Sequence, residues 1–383
     1  MNHLRLVNNT GYEAEKNLCF VNTALQLLHS DQEFRDFFIH KVFRNNENRS
    51  FPICDELSCI FRKEGTFSAS AAELRRLVGL FSGIDEISDG QQKDITHFLR
   101  LLLQTIQMEL SNQPQEISAL INKFWGKEKT VRKCVHTQDG ACGRCHNFPR
   151  IEEENFNILK LNLVQHVDEI SLDNLIGNYF SESVETVEMK CSSCCPHKSH
   201  CPQSGVCKLR KAANQKVLTR SPAILIIQVL RFQNFSNLKM KTKVISANEI
   251  IMPNLQKYEL ISVGDHIGPL IQNGHYIASV KYGGNWYRCN DDSVHNLDER
   301  SINTENNYVF VYRKITGPII PTFIPTSEWQ EVQPGQAIPG GCEARLDMSG
   351  TGRTFAKKLD EGNKEQLIKP DKLDQNVCKK NRE

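Results

Sequence analysis

A nucleophilic thiol needs a base to take its proton and a third group to hold that base. Cys19 is the candidate nucleophile. It lies in Asn17-Leu18-Cys19-Phe20-Val21-Asn22-Thr23-Ala24-Leu25-Gln26-Leu27-Leu28, where Leu18, Val21, Leu25 and Leu28 recur at helical spacing and form one stripe. The spacing predicts a helix with Asn17 as its N-cap and Cys19 in the first turn, beside the stripe. A thiol there feels the positive end of the helix dipole, which favours the thiolate. Taken alone, a cysteine on an apolar helix merely packs; a matching base elsewhere reverses that reading. His275, in Gly274-His275-Tyr276 at the mouth of a predicted strand, is the candidate base. Asn290 or Asp291, beyond the Gly283-Gly284-Asn285 turn, is the candidate orienter. Two neighbouring antiparallel strands joined by that turn would bring these side chains within hydrogen-bond reach. An amide or acid at the imidazole Nδ1–H would fix the tautomer, so that Nε2 faces the sulfur. Without such a partner, a lone histidine at a strand start is a surface residue.

A second chemistry is carried by cysteine pairs. The chain has 383 residues, 14 of them Cys, and a formal net charge of +2. No apolar run of transmembrane length occurs, and Met1-Asn2-His3-Leu4-Arg5-Leu6 lacks the apolar stretch of a signal peptide. The expectation is a cytoplasmic or nuclear protein with reduced thiols, in which closely spaced cysteines point to metal or catalysis. Cys142-x-x-Cys145 and Cys191-x-x-Cys194 suit a tetrahedral four-cysteine Zn²⁺ site joining two hairpin tips. Cys195, His197, His200, Cys201 and Cys207 could form a further site with Cys134 or His136, or exchange with Cys194. The near-neutral charge gives no electrostatic case for nucleic acid, and nothing calls for a membrane.

These residues must be positioned by a chain of changing character. The first third is helical: one or two helices over 17–40, another over Ala71–Phe81 with Ser70 as a possible N-cap, and the clearest over Asp94–Leu110. Phe156–Leu163 alternates imperfectly like a half-buried strand, and Ala223–Leu230 reads as a core strand. Tyr276–Tyr282, Trp286–Cys289 and Tyr308–Tyr312 are strands by composition. Residues 316–383 turn rich in Pro, Gly, Lys and Glu and read as a mostly disordered C-terminal segment.

The order Cys, His, Asn/Asp is that of papain-like peptidases, and five segments in order, over roughly residues 11 to 313, resemble the ubiquitin-specific proteases. Gly11, Asn17, Cys19, Asn22 and Gln26 match the Cys box. Gln91 to Leu99 resembles the Gln-Gln-Asp box, with His97 in place of the usual Glu. The two Cys-x-x-Cys pairs sit where the fingers have zinc ligands. Pro222 to Phe232 matches the Pro-x-x-Leu-x-Ile-x-Leu-x-Arg-Phe strand, and Gly274-His275-Tyr276, Trp286, Asn290-Asp291 and Tyr308 to Arg313 match the His box. The resemblance implies an α+β papain-like cysteine peptidase with a helical thumb, a β-rich palm and zinc-binding β fingers. The catalytic domain would occupy 1–315, with the fingers inserted at about 130–215. It implies Cys19 as nucleophile, His275 as base, Asn290 as third member and Asp291 as auxiliary. Cys142, Cys145, Cys191 and Cys194 would hold a structural Zn²⁺. The implied reaction is hydrolysis of the bond after the C-terminal Gly of ubiquitin, through a Cys19 thioester. The implied partners are ubiquitin and ubiquitinated proteins, met by a monomer.

Some positions depart from the pattern. Ala14 replaces an Asn that helps bind the oxyanion, and Lys16 and Leu18 replace the flanking Gly and Thr. Losing one oxyanion donor costs about 3–4 kcal/mol. Asn8, Asn9 or Asn17 could substitute; otherwise the chain is a slow enzyme or a ubiquitin-binding scaffold. Within the C-terminal segment, Glu328 to Gly341 and the residues that follow are similar to a short leader segment of chaperone nucleotide-exchange factors of the endoplasmic reticulum. A solvated segment or a partner-docking peptide is the preferred account of it, and it implies no location.

Overall fold

The computed structural model describes residues 3–8, 16–40, 51–64, 69–111, 122–135, 150–164, 167–187, 210–232, 239–270, 273–315, 330–332, 342–346 and 354–358. The chain divides into two compact units, Met1–Thr316 and Gly317–Glu383.

The first unit begins with five helices: α1 (Cys19–His29), α2 (Gln32–His40), α3 (Pro52–Phe61), α4 (Ala72–Ser82) and α5 (Ile95–Glu109). All 11 residues of α1 are buried, which makes it the central helix of this layer. The expected N-cap does not form. Asn17 is in the left-handed region (φ 57°), a conformation Asn tolerates better than most residues. Its Nδ2 donates to the Gly90 carbonyl at 3.0 Å, and Leu18 occupies the cap with no side-chain bond. Ala71, not Ser70, caps α4, although Ser70 Oγ accepts from the Ala72 amide at 3.3 Å. Asp94 caps α5, accepting from the Thr96 and His97 amides.

The strands that position the site are β1 (Gly126–Val135), β2 (Arg150–Phe156), β3 (Leu159–Asn162), β4 (Ser183–Val187), β5 (Arg210–Arg220), β6 (Ile224–Leu230), β7 (Lys257–Leu270), β8 (Asn273–Tyr282), β9 (Asn285–Asn290), β10 (Ser293–Leu297) and β11 (Asn307–Lys314). The main sheet runs β10-β9-β8-β7-β11-β6-β3, with Glu249–Ile251 added beside β7. Only the β3–β6 pairing is parallel in that order. Both faces of the sheet are covered, so β6 is apolar apart from Gln228 rather than alternating. Ile224 and Ile226 face the cluster that contains α1. Leu225, Ile227 and Val229 face the opposite cluster, with Leu172, Leu175 and Ile176 of α6 (Leu172–Phe180), a helix the sequence reading did not anticipate. Gly264 of β7 lets α1 approach: a Cβ there would lie 3.2 Å from Leu27 Cδ1.

A separate four-stranded sheet, β2-β1-β5-β4, is antiparallel throughout and covers the expected fingers region. Its base is held by Glu128, which is buried and accepts from Lys216 Nζ at 2.7 Å and Tyr179 Oη at 2.9 Å. In the second unit, β12 (Gln330–Val332), β13 (Cys342–Leu346) and β14 (Thr354–Lys358) form a three-stranded antiparallel sheet with β14 central. Residues 330–358 thus contain strands inside the segment that composition alone read as mostly disordered.

Arg75 locks the loops around the start of α1. It is 1% exposed and reaches three main-chain carbonyls: Ile87 (2.5 Å), Lys16 (2.9 Å) and Gln91 (2.7 Å). Its guanidinium also lies 5.2 Å from the Phe20 ring centroid. Removing it leaves buried carbonyls unpaired. Arg75→Met should lower unfolding free energy by about 3 kcal/mol in urea titration. Arg76→Ala, which removes a solvent-exposed pair with Glu73, should leave the midpoint unchanged. Equal effects of the two would contradict the role given to Arg75.

Candidate active site

Cys19 opens α1, and its thiol is buried at 2% exposure. His275 is near the start of β8, and Asn290 closes β9. The β8–β9 register pairs Ala278 with Cys289, so His275 projects past the paired region toward the β9 end, where Asn290 and Asp291 stand. The ring Nε2 hydrogen-bonds Asn290 Oδ1 at 2.6 Å and lies 3.9 Å from Asp291 Oδ2. A hydrogen bond between the imidazole and the Cys19 thiol closes the set. All four sequence-chosen residues, Cys19, His275, Asn290 and Asp291, therefore meet.

The ring orientation differs from the sequence expectation. Nε2, not Nδ1, takes the orienting amide, which leaves Nδ1 for the sulfur. The reason is reach: His275 comes from beyond the β8–β9 ladder, and only its far nitrogen extends to a side chain at the β9 terminus.

The His275 imidazole is held protonated by Cys19. Its pKa rises from 6.5 to about 9, first through the hydrogen bond to Cys19, against a lowering by burial, with Asn290 and the Asp291 charge adding to the rise. Asp291 is itself held in place, in the left-handed region (φ 52°). Its Oδ1 accepts from Asn22 Nδ2 of α1 at 2.8 Å, Asn8 adds a second side-chain bond, and its carbonyl accepts from the Leu6 amide. Burial raises its carboxyl pKa and the Asn22 bond opposes this.

Other residues position the site without having been singled out for that role. Gln92 Oε1 accepts from the Gly274 amide at 3.1 Å, tying the segment before α5 to the residue before His275. A Cβ on Gly274 would lie 2.4 Å from the Ile267 carbonyl and 2.7 Å from His266 Nε2, so only glycine fits. Gln92 belongs to the quoted Gln-Gln box and Asn22 to the Cys box; their partners lie far along the chain and no local pattern names them.

Beside this centre, a cleft of about 480 Å³ separates α5 from β3, β6 and β11. Asp94, His97 and Arg100 line one wall; Lys160, Gln228, Arg231 and Tyr308 are on the other side. Three buried polar atoms of lining residues have no hydrogen-bond partner: His97 Nε2, Gln228 Oε1 and Arg231 Nη2. Asp94 is already engaged, with Oδ2 accepting from Tyr308 Oη at 2.5 Å and Oδ1 from the start of α5.

The expected zinc ligands Cys142, Cys145, Cys191 and Cys194, the further Cys and His cluster, Ala14 and Asn9 lie outside the described residues. Among the described residues no group of three or more His, Cys, Asp or Glu could hold a metal ion. The strands around the cysteine pairs are described, however. Arg132 pairs with Arg150, Val135 with Lys211 and Val187 with Arg210. The two connections that carry the pairs therefore leave from one end of one sheet. Four thiolates supplied from that end fit a tetrahedral zinc ion.

A helical layer against a sheet, with a thiol from the helix facing an imidazole from a strand, is the arrangement of the papain-like cysteine peptidases. A family model described as "Ubiquitin carboxyl-terminal hydrolase" matches residues 10–312. The chain belongs to that family. It is 21% identical to ubiquitin carboxyl-terminal hydrolase 4 of Arabidopsis thaliana, over 80% of this chain and 93% of that one. It is 24% identical to ubiquitin carboxyl-terminal hydrolase 17-like protein E of Mus musculus, over 80% of this chain but 54% of that one. A solved structure titled "Structure of the SAGA Ubp8/Sgf11/Sus1/Sgf73 DUB module bound to ubiquitin aldehyde" shares the fold, with a TM-score of 0.62 and 19% identity over 82% of this chain and 70% of that chain. Residues 323–352 match a second model, described as "Nucleotide exchange factor Sil1 small beta-sheet domain".

The raised His275 pKa has a direct test. Its imidazole resonance should titrate near pH 9 and fall toward 6.5 in Cys19→Ala. Because the folded pKa is the higher one, this interaction stabilises the fold fully below pH 6.5 and is lost as pH rises through about 9. An unshifted resonance in Cys19→Ala would assign the rise to another group.

Proposed function

We propose that the chain hydrolyses the peptide or isopeptide bond after the C-terminal Gly of ubiquitin, using Cys19 as nucleophile. The observation that carries this is the convergence of Cys19, His275 and Asn290 from α1, β8 and β9. In this reading Cys19 Sγ attacks the scissile carbonyl while His275 holds the thiol proton. The oxyanion develops beside the first turn of α1, whose amides receive no side-chain cap. His275 then protonates the leaving amine, and the Cys19 thioester remains. Water, deprotonated by His275, releases ubiquitin and restores the thiol. Asn290 holds the ring by accepting from Nε2–H, and the Asp291 carboxylate stabilises the imidazolium.

The cleft beside α5 suits an extended C-terminal segment of the substrate. Gln228 Oε1 can accept from a main-chain amide and Arg231 Nη2 can donate to a carbonyl. A scaffold that only binds ubiquitin would need neither the thiol–imidazole contact nor its orienting amide, so the enzyme is the better reading even with Ala14 at the oxyanion position. A reducing cytoplasm or nucleus fits the free thiol it requires.

Cys19→Ala should abolish cleavage of a fluorogenic ubiquitin conjugate while retaining ubiquitin binding. His275→Ala should lower turnover nearly as far, and Asn290→Ala less, because Asp291 can partly hold the imidazole. Full turnover by His275→Ala would remove the assignment.

We further propose that Cys142, Cys145, Cys191 and Cys194 hold one structural zinc at the end of the β2-β1-β5-β4 sheet. Elemental analysis of protein purified without chelator should find zinc, and Cys191→Ser should lose it and lower the melting temperature. Protein without zinc and with an unchanged melting curve on chelation would show that the cysteines serve otherwise.

A further inference from the structure

We propose that the cavity at the C-terminal end of α1, between α2 and the β8–β9 turn, binds a short peptide with both ends free, its ammonium at Glu64 and its carboxylate between Arg35 and Lys281. The cavity has a volume of about 580 Å³, within the range of small-molecule sites. It stands apart from the active site. Ser30 lines it and closes α1 at the end opposite Cys19, about 16 Å along the helix axis. Tyr282 also lines it and ends β8, about 23 Å along the strand from His275. A ligand there would leave the catalytic residues uncovered, and its binding is independent of the hydrolase reading.

Both walls of the cavity carry both signs. Arg35 and Glu64 come from the helical side, and Glu259, Lys281 and Arg313 from the sheet. Glu259 and Arg313 neutralise each other: Arg313 Nε and Nη2 donate to Glu259 Oε1 at 3.0 and 2.7 Å. Glu33 also acts on Arg313, but is itself paired with Lys123. The remaining three charges are open. Among the described residues, Arg35 pairs only with its neighbour Asp36, through Nε at 3.4 Å, which leaves both Nη groups for a ligand. Lys281 pairs with no carboxylate among the described residues, and its Nζ lies 5.9 Å from the Trp286 ring centroid. Glu64 Oε2 lies 3.6 Å from His29 Nε2. Burial lowers the His29 pKa, so the ring is neutral at pH 7 and does not cancel the Glu64 charge. Arg35 acts on Glu64 from beyond ion-pair distance. A ligand of one sign would meet like charge on each wall, whereas a dipolar one finds a counter-charge for each end. Ile261 and Tyr282 add apolar surface for its side chains. Gly283 and Gly284, both at positive φ (55° and 85°), form the rim with no side chain to close it.

The test is an amide NMR titration of the full chain with the dipeptide Ala-Leu, its N-acetyl form and its C-terminal amide. Ala-Leu should shift the Gly283 and Gly284 resonances saturably. Blocking either end should weaken binding roughly tenfold, the size of one lost charge-assisted hydrogen bond. In Lys281→Gln the loss caused by amidation should shrink, because only Arg35 then faces the carboxylate. In Glu64→Gln the loss caused by acetylation should vanish. Each variant thus cancels the effect of one blocked end and keeps that of the other, which a merely misfolded protein would not do. No saturable shift at Gly283 and Gly284, equal binding of the three peptides, or losses undiminished in the matching variants would overturn the site and leave the hydrolase reading untouched.

Discussion

A fully buried helix that carries polar side chains must find a partner for each of them, and α1 is such a helix. Asn22, Gln26 and His29, with Ser30 at the C-cap, are all buried. Asn22 Nδ2 donates to the Leu6 and Val7 carbonyls and to Asp291; Gln26 Nε2 donates to the Leu4 carbonyl. His29 Nδ1 meets Tyr282 Oη at 2.7 Å, and Ser30 Oγ meets Ser262 Oγ at 3.0 Å. A helix with only leucines on this face could slide or rotate at modest cost. These bonds fix its axial position against β7, β8 and the loop after β9, because a shift would leave several buried groups unpaired at about 1–3 kcal/mol each. The position of Cys19 opposite His275 follows from that register.

The entry to α1 is fixed by a different device. The chain before Cys19 is held through its backbone: the Lys16 carbonyl by Arg75, and the turn at Asn17 by the bond to Gly90. Arg75 also holds the Ile87 and Gln91 carbonyls. The loop between α4 and α5 and the start of α1 therefore share one guanidinium, whose planar fork serves several acceptors at once. Gln92 follows Gln91 directly and reaches Gly274. A short chain of hydrogen bonds thus runs from Arg75 to the residue beside His275, linking both halves of the catalytic pair to one buried charge.

What the sequence made legible was chemistry with a short range or a strong pattern. The α5 periodicity and the apolar run of β6, interrupted only by Gln228, are local signals. Cys19, His275 and Asn290 were legible because an ordered set of motifs surrounded them. Asn17 deceived because a residue suited to capping is equally suited to positive φ, and the Gly90 carbonyl, far along the chain, decided between them. The imidazole orientation was not legible either: it depends on how far His275 lies beyond the β8–β9 ladder, which is a matter of register. Arg75 looked like an ordinary helix arginine beside Arg76, and only tertiary contacts distinguish the buried one. In the C-terminal segment, composition reports on the average of 316–383 and misses three short strands between 330 and 358.

Four cysteines are free among the described residues, and their surroundings explain why one of them is suited to be the nucleophile. Cys54 is buried in α3 beside Glu109, and both burial and that carboxylate push its thiol pKa up. A thiolate there would face a negative charge with no base to make it. Cys289, on β9, is pushed up to about 12 by burial. It lies one residue from Asn290, yet strand alternation turns it toward the core, away from the imidazole its neighbour holds. Cys59 is exposed, with no such burial. Cys19 differs in standing at the seam, where a helix N-terminus and a strand-borne histidine meet. Burial excludes water from its sulfur, and the imidazole that faces it is held above its ordinary pKa. Nucleophilicity in this chain is therefore a property of the seam rather than of any one element, and a thiol moved one residue along α1 or β9 would lose it.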